Sequence, residues 1–463
     1  MGKVAINRPR GTRDFGPVEM GNRRKVEEIL RDVAGAFSYH EIATPTFEHL
    51  DLFTQKSGEE VIKQLYTFED KGGRTLALRP ELTAAVLRFF SEEMAYQPKP
   101  VKVFYMGNCF RYERPQKGRY REFWQFGAEC IGSNTPEAIS EIITLAHTCI
   151  RSAGLQNSEL RIGHLGILKG LLDNLGCNDK AVMTLIDKGN ITGLRDLLED
   201  RGVKNGETLF RLLELKGDPS ALSIAIKLLE NATYEDKMRN DQKIVGPSPD
   251  NKNSSERSSI EMGLESLRMV TELVKRSGVE HILDFGIARG LDYYTGIVFE
   301  VDVPSLGAEK QICGGGEYNL NEIFNLRTKG TSGFAIGFDR LVLALESEGI
   351  TFPPIPPLIG IIPTPGTTAI AFELASKYRT HGIPTELDVS GRGLKKALSR
   401  MNDLQVNFTV ITGEREIEHG TVMVRDMSSG DQEEVPIDSV VSYVLGRLRS
   451  SSGFDQPDEE EGN

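Results

Sequence analysis

The sequence has few cysteines and lacks a long apolar run. Only five of its 463 residues are cysteine, and no two of them form a C-x-x-C pair. Scattered cysteines argue against a zinc site or a disulfide framework and are typical of a reducing compartment. No apolar stretch is long enough to span a membrane, and the opening MGKVAINRPRGTRDF lacks the apolar core of a secretory signal. We therefore expect a cytoplasmic protein with no membrane contact.

The chain also lacks an excess of positive charge. Its formal net charge is −12, so any nucleic-acid partner must be bound by local basic patches. The hydrophobic share of 39% and the charged share of 26% are those of an ordinary globular chain. The length is sufficient for two or three domains.

Residues 107–132, GNCFRYERPQKGRYREFWQFGAECIG, have two strand-like arms joined by a polar stretch. Side chains of a strand alternate between its faces, so Phe123, Gln125 and Glu129 share one face of the second arm. On the first arm, Arg111 and Glu113 share a face. A hairpin face this rich in charge suits the floor of a pocket better than a core. The alternative is an amphipathic hairpin with a solvated charged face.

The connection from Arg114 to Glu122 is longer than a tight hairpin requires. It carries four basic side chains, Arg114, Lys117, Arg119 and Arg121. Long connections in compact domains are usually functional or disordered. A basic connection beside a polar pocket suggests contact with phosphate.

The stretch FRYERPQKGRYREFWQFGAE closely resembles motif 2 of class II aminoacyl-tRNA synthetases, in the form found in the histidyl-tRNA synthetase family. The resemblance implies that Arg111 holds the α-phosphate of ATP and the substrate carboxylate. It implies that Glu113 helps to hold the adenine and that Phe123 stacks on it. We also assign Arg119 to ATP binding.

The same motif extends the resemblance to the other two substrates. Gln125 and Glu129 are assigned to the substrate histidine, with Glu129 accepting a hydrogen bond from one imidazole nitrogen. The alternative for Glu129 is a structural salt bridge at the strand end. Gln116 and Lys117 are assigned to the loop that meets the acceptor end of tRNA.

Residues 74–83, RTLALRPELT, predict a strand that ends at Pro80, because proline cannot donate to a strand ladder. The phrase resembles the RPE-x-T of the same family. That resemblance implies that Glu81 and Thr83 hold the α-amino group of the substrate. The alternative is a helix start at which Glu81 complements the helix dipole, and both interpretations can hold together.

The phrase ARGLDYYTG at 288–296 resembles the signature of the histidyl-tRNA synthetase family. The resemblance implies that Arg289 contacts the α-phosphate and carboxylate as a fixed cation. It implies that Tyr294 hydrogen-bonds the imidazole, with Tyr293 close by. The alternative is an interior strand edge with a surface arginine.

Two further motifs complete the predicted site. CGGGEYNL at 313–320 resembles a family motif that lines the substrate pocket, so Tyr318 is assigned to histidine. Glu317 and Asn319 stand where the family has arginine and aspartate. The alternative for this stretch is a loose turn.

GFAIGFDRLVLAL at 333–345 resembles motif 3, in which an arginine at a helix start, here Arg340, binds the γ-phosphate. The alternative is a helix start with a surface arginine.

The pattern along the chain predicts the domain organisation. We expect a catalytic domain over 1–352 with a helical insertion at about 165–280, in which 233–259 is polar. PPIPP at 353–357 predicts a linker, and the alternating strands and helices of 358–449 resemble an anticodon-binding domain. The acidic tail 450–463 is expected to be disordered.

The beginning of the chain carries two weaker indications. A helix of about twenty residues, followed by a strand over 38–47, resembles motif 1, which forms the dimer interface in the family. The resemblance therefore implies a homodimer. The phrase RPRGTRDFG at 8–16 resembles the opening of family members, which favours an ordered segment over a flexible arm.

The predicted fold class is α+β, with a class II antiparallel-sheet catalytic domain followed by an α/β mixed-sheet anticodon-binding domain. The resemblance implies a histidine–tRNA ligase that uses ATP and Mg²⁺ and binds tRNA(His), with Arg111 and Arg289 as catalytic cations. No side chain is assigned to hold the metal, and no protein nucleophile is required. The first alternative is a non-catalytic paralogue that regulates ATP phosphoribosyltransferase. The others are a class II enzyme for another amino acid and a tRNA sensor within a kinase.

Overall fold

The chain folds as two units, Met1–Phe352 and Pro353–Asn463, each built around its own sheet. The computed structural model describes residues 7–54, 62–203, 206–230, 258–288, 294–320, 324, 328–352 and 358–452. Within these ranges, no helix is both long and apolar enough to cross a bilayer.

The first unit contains twelve described strands. They are β1 (His40–Glu41), β2 (Phe47–His49), β3 (Thr67–Glu69), β4 (Thr75–Leu78), β5 (Val101–Phe110), β6 (Glu122–Ile131), β7 (Glu159–His164), β8 (Lys216–Gly217), β9 (Ile282–Asp284), β10 (Tyr294–Asp302), β11 (Gln311–Tyr318) and β12 (Thr331–Gly337).

Nine of these strands form one sheet in the order β1-β5-β6-β12-β11-β10-β7-β9-β8. Its centre, from β5 to β7, is antiparallel throughout, whereas β1–β5 and β7–β9 pair in parallel. The other three strands form a separate small sheet in the order β2-β4-β3. An antiparallel sheet can leave part of one face uncovered, and here the candidate site lies on the face that holds Tyr105 and Glu129.

The first helix and Pro136–Ser152 bury apolar stripes against the opposite face, whereas Val86 and Leu87 of Thr83–Phe89 pack with Tyr105 on the site face. The bounds of the helices of the first unit are Pro17–Ala36, Leu50–Thr54, Thr83–Phe89 with a π-helical continuation at Phe90–Met94, Pro136–Ser152, Leu165–Asn174, Lys180–Asp187, Ile191–Asp200, Gly206–Glu214, Ser259–Arg276, a 3₁₀ turn at Pro304–Glu309, and Phe338–Ser347. Val26, Leu30 and Ala34 of the first helix and Ile139, Ile142 and Ile143 of Pro136–Ser152 belong to one buried core.

The insertion predicted at 165–280 is mainly helical but not entirely so. It contains four of the short helices above, a helical run over 221–230, the helix Ser259–Arg276 and the short strand β8, which pairs with β9 at the sheet edge. Most of the polar stretch 233–259 lies outside the described residues.

The second unit has a five-stranded sheet in the order β14-β13-β15-β16-β17. Its strands are β13 (Ile359–Pro363), β14 (Thr385–Leu387), β15 (Phe408–Thr412), β16 (Thr421–Asp426) and β17 (Gln432–Pro436), and its helices are Thr368–Thr380, Leu394–Asp403, Glu414–Glu418 and Val440–Ser452. Parallel pairing of β14, β13 and β15 is followed by antiparallel pairing of β15, β16 and β17, which makes the sheet mixed.

The predicted fold class is confirmed: a large antiparallel-rich sheet with helices is followed by a separate mixed sheet. Several local expectations differ from the structure. The strand predicted over 38–47 is interrupted: His40–Glu41 form β1 in the large sheet, and Phe47 begins β2 in the small sheet after the break at Pro45. The last helix continues to Ser452, beyond the predicted start of the tail at 450. The predicted linker 353–357 lies outside the described residues.

Candidate active site

A cavity of about 490 Å³ opens on the exposed face of β6, β12 and β11. It draws its walls from segments that are far apart in sequence: the helix start after β4, the β5–β6 connection, β10 and the start of Phe338–Ser347. The residues that line it include eleven site residues predicted from the sequence: Glu81, Thr83, Arg111, Glu113, Arg119, Phe123, Gln125, Glu129, Tyr294, Tyr318 and Arg340. The fold therefore collects most of the predicted site residues in one space.

Glu129 lies at one end of the cavity and is almost completely buried. Its Oε1 accepts hydrogen bonds from the hydroxyls of Thr83 and Tyr105, each at 3.0 Å, and its Oε2 accepts one from Tyr318 at 2.6 Å. Burial raises the pKa of this carboxyl to about 8, although the three hydroxyl donors oppose the shift. Among the described residues, no salt bridge to Glu129 forms, so the structure does not support the salt-bridge alternative.

Close packing around Glu129 depends on a glycine in the neighbouring strand. Gly333 of β12 stands opposite Glu129 of β6, and a Cβ at Gly333 would lie only 1.6 Å from Glu129 Oε2. Tyr294 and Tyr318 stand opposite each other on β10 and β11, with their rings edge to face at 6.2 Å. This end of the cavity is therefore a closely packed cluster of one carboxylate, the Thr83 hydroxyl and tyrosine side chains.

Glu81 and Thr83 begin the helix Thr83–Phe89 beside this cluster. The Glu81 carboxylate accepts the backbone N–H groups of Thr83 at 2.6 Å and Ala84 at 3.0 Å. Burial raises the pKa of Glu81, and these amides and the Arg111 charge partly oppose that rise. The helix-start interpretation of Glu81 therefore holds, and the same carboxylate also faces the cavity.

Arg111 lies just past the end of β5, at Phe110, and not within the strand as the alternation suggested. The connection between the arms is correspondingly longer, and we call residues 111–121 the hairpin loop. Arg111 Nε donates to the carbonyl of Pro80 at 3.0 Å, and its guanidinium carbon lies 5.3 Å from the centre of the Phe123 ring. The remaining guanidinium nitrogens can bind an anion in the cavity.

The opposite end of the cavity is cationic. Arg340 donates to the carbonyls of Gly118 at 3.0 Å and Gln311 at 2.8 Å and pairs with Glu309. Arg119 of the hairpin loop pairs with Glu113 at 3.2 Å and with Glu309 at 3.3 Å. Burial lowers the pKa of Arg340, while Glu309 opposes the shift. Arg119 and Arg340 are balanced by Glu113 and Glu309, and the nearby guanidinium of Arg111 adds the positive charge that is available to an anionic ligand.

Four of the predicted site residues do not line the described cavity. Arg289 and Tyr293 lie outside the described residues. Gln116 and Lys117 are exposed on the hairpin loop, and Gln116 donates to Glu309 at 2.6 Å. These two are placed on the surface rather than in the cavity.

Glu317 and Asn319, the two departures from the family pattern, follow the glycines of β11. Glu317 Oε2 accepts the backbone N–H of Ile297 at 3.1 Å, where the β10–β11 register shifts. Burial raises the pKa of Glu317 to about 7. The segment 313–318 is thus a strand in the sheet and not a loose turn, and of its three glycines Gly314 lines the cavity.

Some site residues were missed by the sequence reasoning. Asp339 stands next to Arg340 in the stretch 333–345, lines the cavity and is buried. Tyr105 shares the pocket face of β5, so alternation along that strand could have found it. Glu309 carries no sequence signal, because its partners Arg340 and Arg119 are distant in the chain.

The antiparallel sheet, the cavity on its open face and the separate mixed sheet define the chain as a class II aminoacyl-tRNA synthetase. A model of the family "Histidyl-tRNA synthetase" matches residues 11–246 and 249–341, and a model of the "Anticodon binding domain" matches residues 359–447. This chain belongs to the histidyl-tRNA synthetase family.

Known proteins resemble the chain over nearly its whole length. The histidine–tRNA ligase of Archaeoglobus fulgidus is 43% identical over 445 residues, which cover 95% of this chain and 100% of the relative. The apo structure of S. aureus histidyl-tRNA synthetase is similar with a TM-score of 0.69 and 28% identity, covering 95% of this chain and 99% of that one.

A third match bears on the regulatory alternative. A Bacillus halodurans structure described as an ATP phosphoribosyltransferase regulatory subunit/histidyl-tRNA synthetase has a TM-score of 0.71 and 25% identity, covering 86% of this chain and 97% of that one. The higher identity and the nearly complete coverage of the ligase relative favour the enzyme over the regulatory subunit.

Proposed function

We propose that this protein is a histidine–tRNA ligase. It joins histidine and ATP into histidyl-adenylate and pyrophosphate and then transfers the histidyl group to the 3′ end of tRNA(His). The observation that carries this proposal is one cavity with two unlike ends: Glu129 with its hydroxyl donors at one, and Arg340 with Arg119 at the other.

At the first end, we assign the imidazole of histidine to Glu129 and Tyr294. The imidazole has nitrogens on two sides, so two partners held rigidly apart distinguish it from other rings. Glu81 and Thr83 take the α-amino group, since a cationic amine needs a carboxylate beside it. Gln125 and Tyr318 complete the pocket, and Tyr293 is assigned there from the family resemblance alone.

At the second end, we assign the triphosphate to the arginines. Arg111 holds the α-phosphate and the substrate carboxylate, Arg340 holds the γ-phosphate, and Arg119 adds charge between them. Phe123 carries the adenine, supported by its position against the Arg111 guanidinium. Glu113 contacts the adenine, and Arg289 supplies a second cation at the α-phosphate.

Both steps of the reaction are displacements that need no protein nucleophile. A carboxylate oxygen of histidine attacks the α-phosphorus of ATP in line, and the bond to pyrophosphate breaks. The terminal ribose hydroxyl of the tRNA then attacks the carbonyl carbon, and AMP leaves. The protein contributes by positioning the reactants and by stabilising the charge that develops at the α-phosphate, through Arg111 and Arg289.

Mg²⁺ is the metal that this reaction requires. Protein-bound Mg²⁺ usually has one or two carboxylate ligands and takes the rest from phosphates and water. No cluster of three or more metal-ligating side chains occurs among the described residues. The residues therefore fit a metal that would be held mainly by the phosphates of the nucleotide and by water. Bound there, Mg²⁺ would neutralise phosphate oxygens.

The two units also suggest where tRNA(His) binds: its acceptor end at the first unit and its anticodon at the second. We assign Gln116 and Lys117 to the acceptor end of tRNA(His), supported by their exposure on the hairpin loop. Residues 358–449 bind the anticodon. The protein is a cytoplasmic homodimer, and sedimentation of the full chain is expected to give twice the mass of one chain; a single-chain mass would contradict the dimer.

Exchange of labelled pyrophosphate into ATP tests the activity directly. Each of the twenty amino acids is supplied separately, with and without Mg²⁺. We expect exchange with histidine only, and only in the presence of the metal. Exchange with proline or threonine but not with histidine would overturn the proposal.

A further inference from the structure

The segment before the first helix, residues 7–16, contacts the active site, and we call it the N-terminal arm. Its Arg13 pairs with Oδ1 of Asp339, and Arg23 of the first helix donates to the same oxygen at 2.7 Å. Oδ2 of Asp339 accepts the backbone N–H of Trp124 at 2.7 Å. One buried carboxylate therefore joins the arm, the first helix and β6 at the position next to Arg340.

Arg13 also contacts the hairpin loop. Its guanidinium carbon lies 3.5 Å from the centre of the Tyr120 ring, which is the stacking geometry that a planar guanidinium allows. Tyr120 and Asp339 both line the cavity, although Arg13 is not among its lining residues. A single side chain outside the cavity thus connects the loop to the start of the helix Phe338–Ser347.

The backbone of the arm holds the same loop at its far end. Arg121 N–H donates to the carbonyl of Gly11 at 2.9 Å. Gly11 has φ of +88°, and a Cβ there would lie 2.7 Å from Arg121 Cγ. Only glycine therefore lets the arm approach the loop this closely.

The loop is held on its other side by Glu309, which contacts Gln116, Arg119 and Arg340. Glu113 and Arg119, the two loop side chains that we assign to the nucleotide, belong to this doubly attached loop, and Arg119 itself contacts Glu309. Their distance from Arg340 depends on both attachments, and a displacement of about 1 Å in a reacting complex can cost on the order of a hundredfold in rate.

We propose that Arg13 is a positioning residue of the nucleotide site. It sets the separation between the hairpin loop and the start of Phe338–Ser347, so that Glu113, Arg119 and Arg340 meet one nucleotide together. This inference rests on the proposed use of ATP by this cavity. Arg13 acts through Tyr120 and Asp339 and does not touch the nucleotide.

The test compares Arg13→Gln with Arg24→Gln in the full chain. Arg24 is an exposed arginine of the first helix that pairs with Glu27, so it controls for the loss of a charge near the N-terminus. We expect Arg13→Gln to weaken ATP binding by about tenfold, because the free energy of the lost charged hydrogen bond between Arg13 and Asp339 must then be supplied when the nucleotide orders the loop. The KM for histidine should barely change, since the histidine end of the cavity is formed by Glu129, Tyr294 and Tyr318. Arg13→Lys keeps the charge but not the planar stack, and should restore part of the affinity.

Trp124 provides a second measurement, because it is the only tryptophan in the chain. Its ring lies 5.7 Å from Phe15 of the arm and 5.0 Å from the Arg23 guanidinium. If Arg13 holds the arm in place, Arg13→Gln should shift the emission to the red and increase quenching by acrylamide. Arg24→Gln should change neither.

Gly11→Ala tests the same attachment while keeping Arg13, and it carries the test if Arg13→Gln does not fold. It should likewise weaken ATP more than histidine and expose Trp124. Equal weakening of ATP and histidine, or unchanged ATP binding, overturns the inference. Weaker ATP binding with unchanged Trp124 emission also overturns it, since Arg13 would then act on the nucleotide directly. ATP affinity is measured by calorimetry without amino acid, so failure of histidine activation is distinguished from failure of this inference.

Discussion

Glu129 is a buried carboxylate whose described partners are hydroxyl groups. We predict that Glu129→Gln lowers kcat/KM for histidine by roughly tenfold to a hundredfold at about pH 9, where the carboxyl with its pKa of about 8 is ionised, because a hydrogen bond to a charged group contributes about 1.5–3 kcal/mol. Glutamine keeps the shape and one acceptor oxygen but removes the charge. The KM for ATP should barely change, since the arginines that we assign to the phosphates lie at the other end of the cavity.

Glu317→Gln is the matched control for that change. It alters a second, half-buried carboxyl of the same sheet, which accepts a hydrogen bond from the backbone N–H of Ile297 and does not line the cavity. We expect it to leave the histidine constant nearly unchanged. If the histidine and ATP constants of Glu129→Gln worsen together, Glu129 has a structural role instead.

The pKa of Glu129 also predicts how stability depends on pH. Burial raises this pKa from 4.5 to about 8 in the folded protein. Between these values the unfolded chain has released the proton and the folded chain retains it. Its contribution to the free energy of unfolding is therefore complete below about pH 4.5 and is lost as the pH rises through about 8.

Thermal melts of the ligand-free protein from about pH 5 to about pH 9 measure this loss. We expect the melting temperature of the wild type to fall more over that range than that of Glu129→Gln, which cannot titrate. Glu317, whose pKa is about 7, titrates in both proteins and cancels in the comparison. Parallel curves would contradict the raised pKa of Glu129.

At the residue scale, what the sequence predicted depended on local motifs. Glu129, Arg111 and Arg340 were predicted because each stands in a stretch with a family pattern, and all three line the cavity. Arg13 and Asp339 are 326 positions apart, and no local pattern indicates that they meet. Partners of this kind are set by the fold as a whole, so sequence reasoning could not find them.

At the scale of secondary-structure elements, the register between β6 and β12 fixes the histidine end of the cavity. It sets Gly333 opposite Glu129, where a Cβ would overlap Glu129 Oε2 and lie 2.8 Å from the carbonyl of Ala128. We predict that Gly333→Ala destabilises the protein by about 1–3 kcal/mol, as overpacking does, and raises the KM for histidine more than that for ATP.

Gly35→Ala is the control for added bulk. Gly35 lies in the first helix with nothing within 4 Å of an added Cβ, so alanine should raise stability by roughly 0.5–1 kcal/mol. Denaturant unfolding of both variants measures the two effects. If Gly333→Ala keeps normal stability and histidine affinity, the close approach of β12 to Glu129 is not tight in solution.

The elements were predicted well where their pattern is periodic. The first helix and β4 lie where apolar spacing and Pro80 indicated them. The strand β11 shows the limit of this reasoning, because its three successive glycines have no alternation to detect. Its conformation is imposed by hydrogen bonding to β10 and β12 on both sides.

At the scale of the whole molecule, each unit has a core of its own. The first contains the clusters around Leu30, Ile142 and Phe299 and around Val86 and Tyr105, and the second contains those around Ile359 and Tyr378 and around Ile362 and Met401. A unit with its own core can in principle fold alone. This separation permits an experiment that divides amino-acid activation from tRNA charging.

A chain that ends at Phe352 should retain activation and lose most charging. Ile350 and Phe352 pack against the first core, and Phe352 N–H donates to Asn22 at 2.5 Å, so the cut must follow Phe352 and not precede Ile350. Every cavity residue precedes this point, and histidine-dependent pyrophosphate exchange should therefore persist. Charging of tRNA(His) should fall because the unit matched by the anticodon-binding model is gone.

A second chain ending at Leu345 serves as the comparison, and its melting temperature should be lower because the core contacts of Ile350 and Phe352 are lost. Full charging of tRNA(His) by the chain that ends at Phe352 would refute an anticodon role for residues 358–449. Loss of pyrophosphate exchange by that chain, with a normal melting temperature, would show that the second unit contributes to activation.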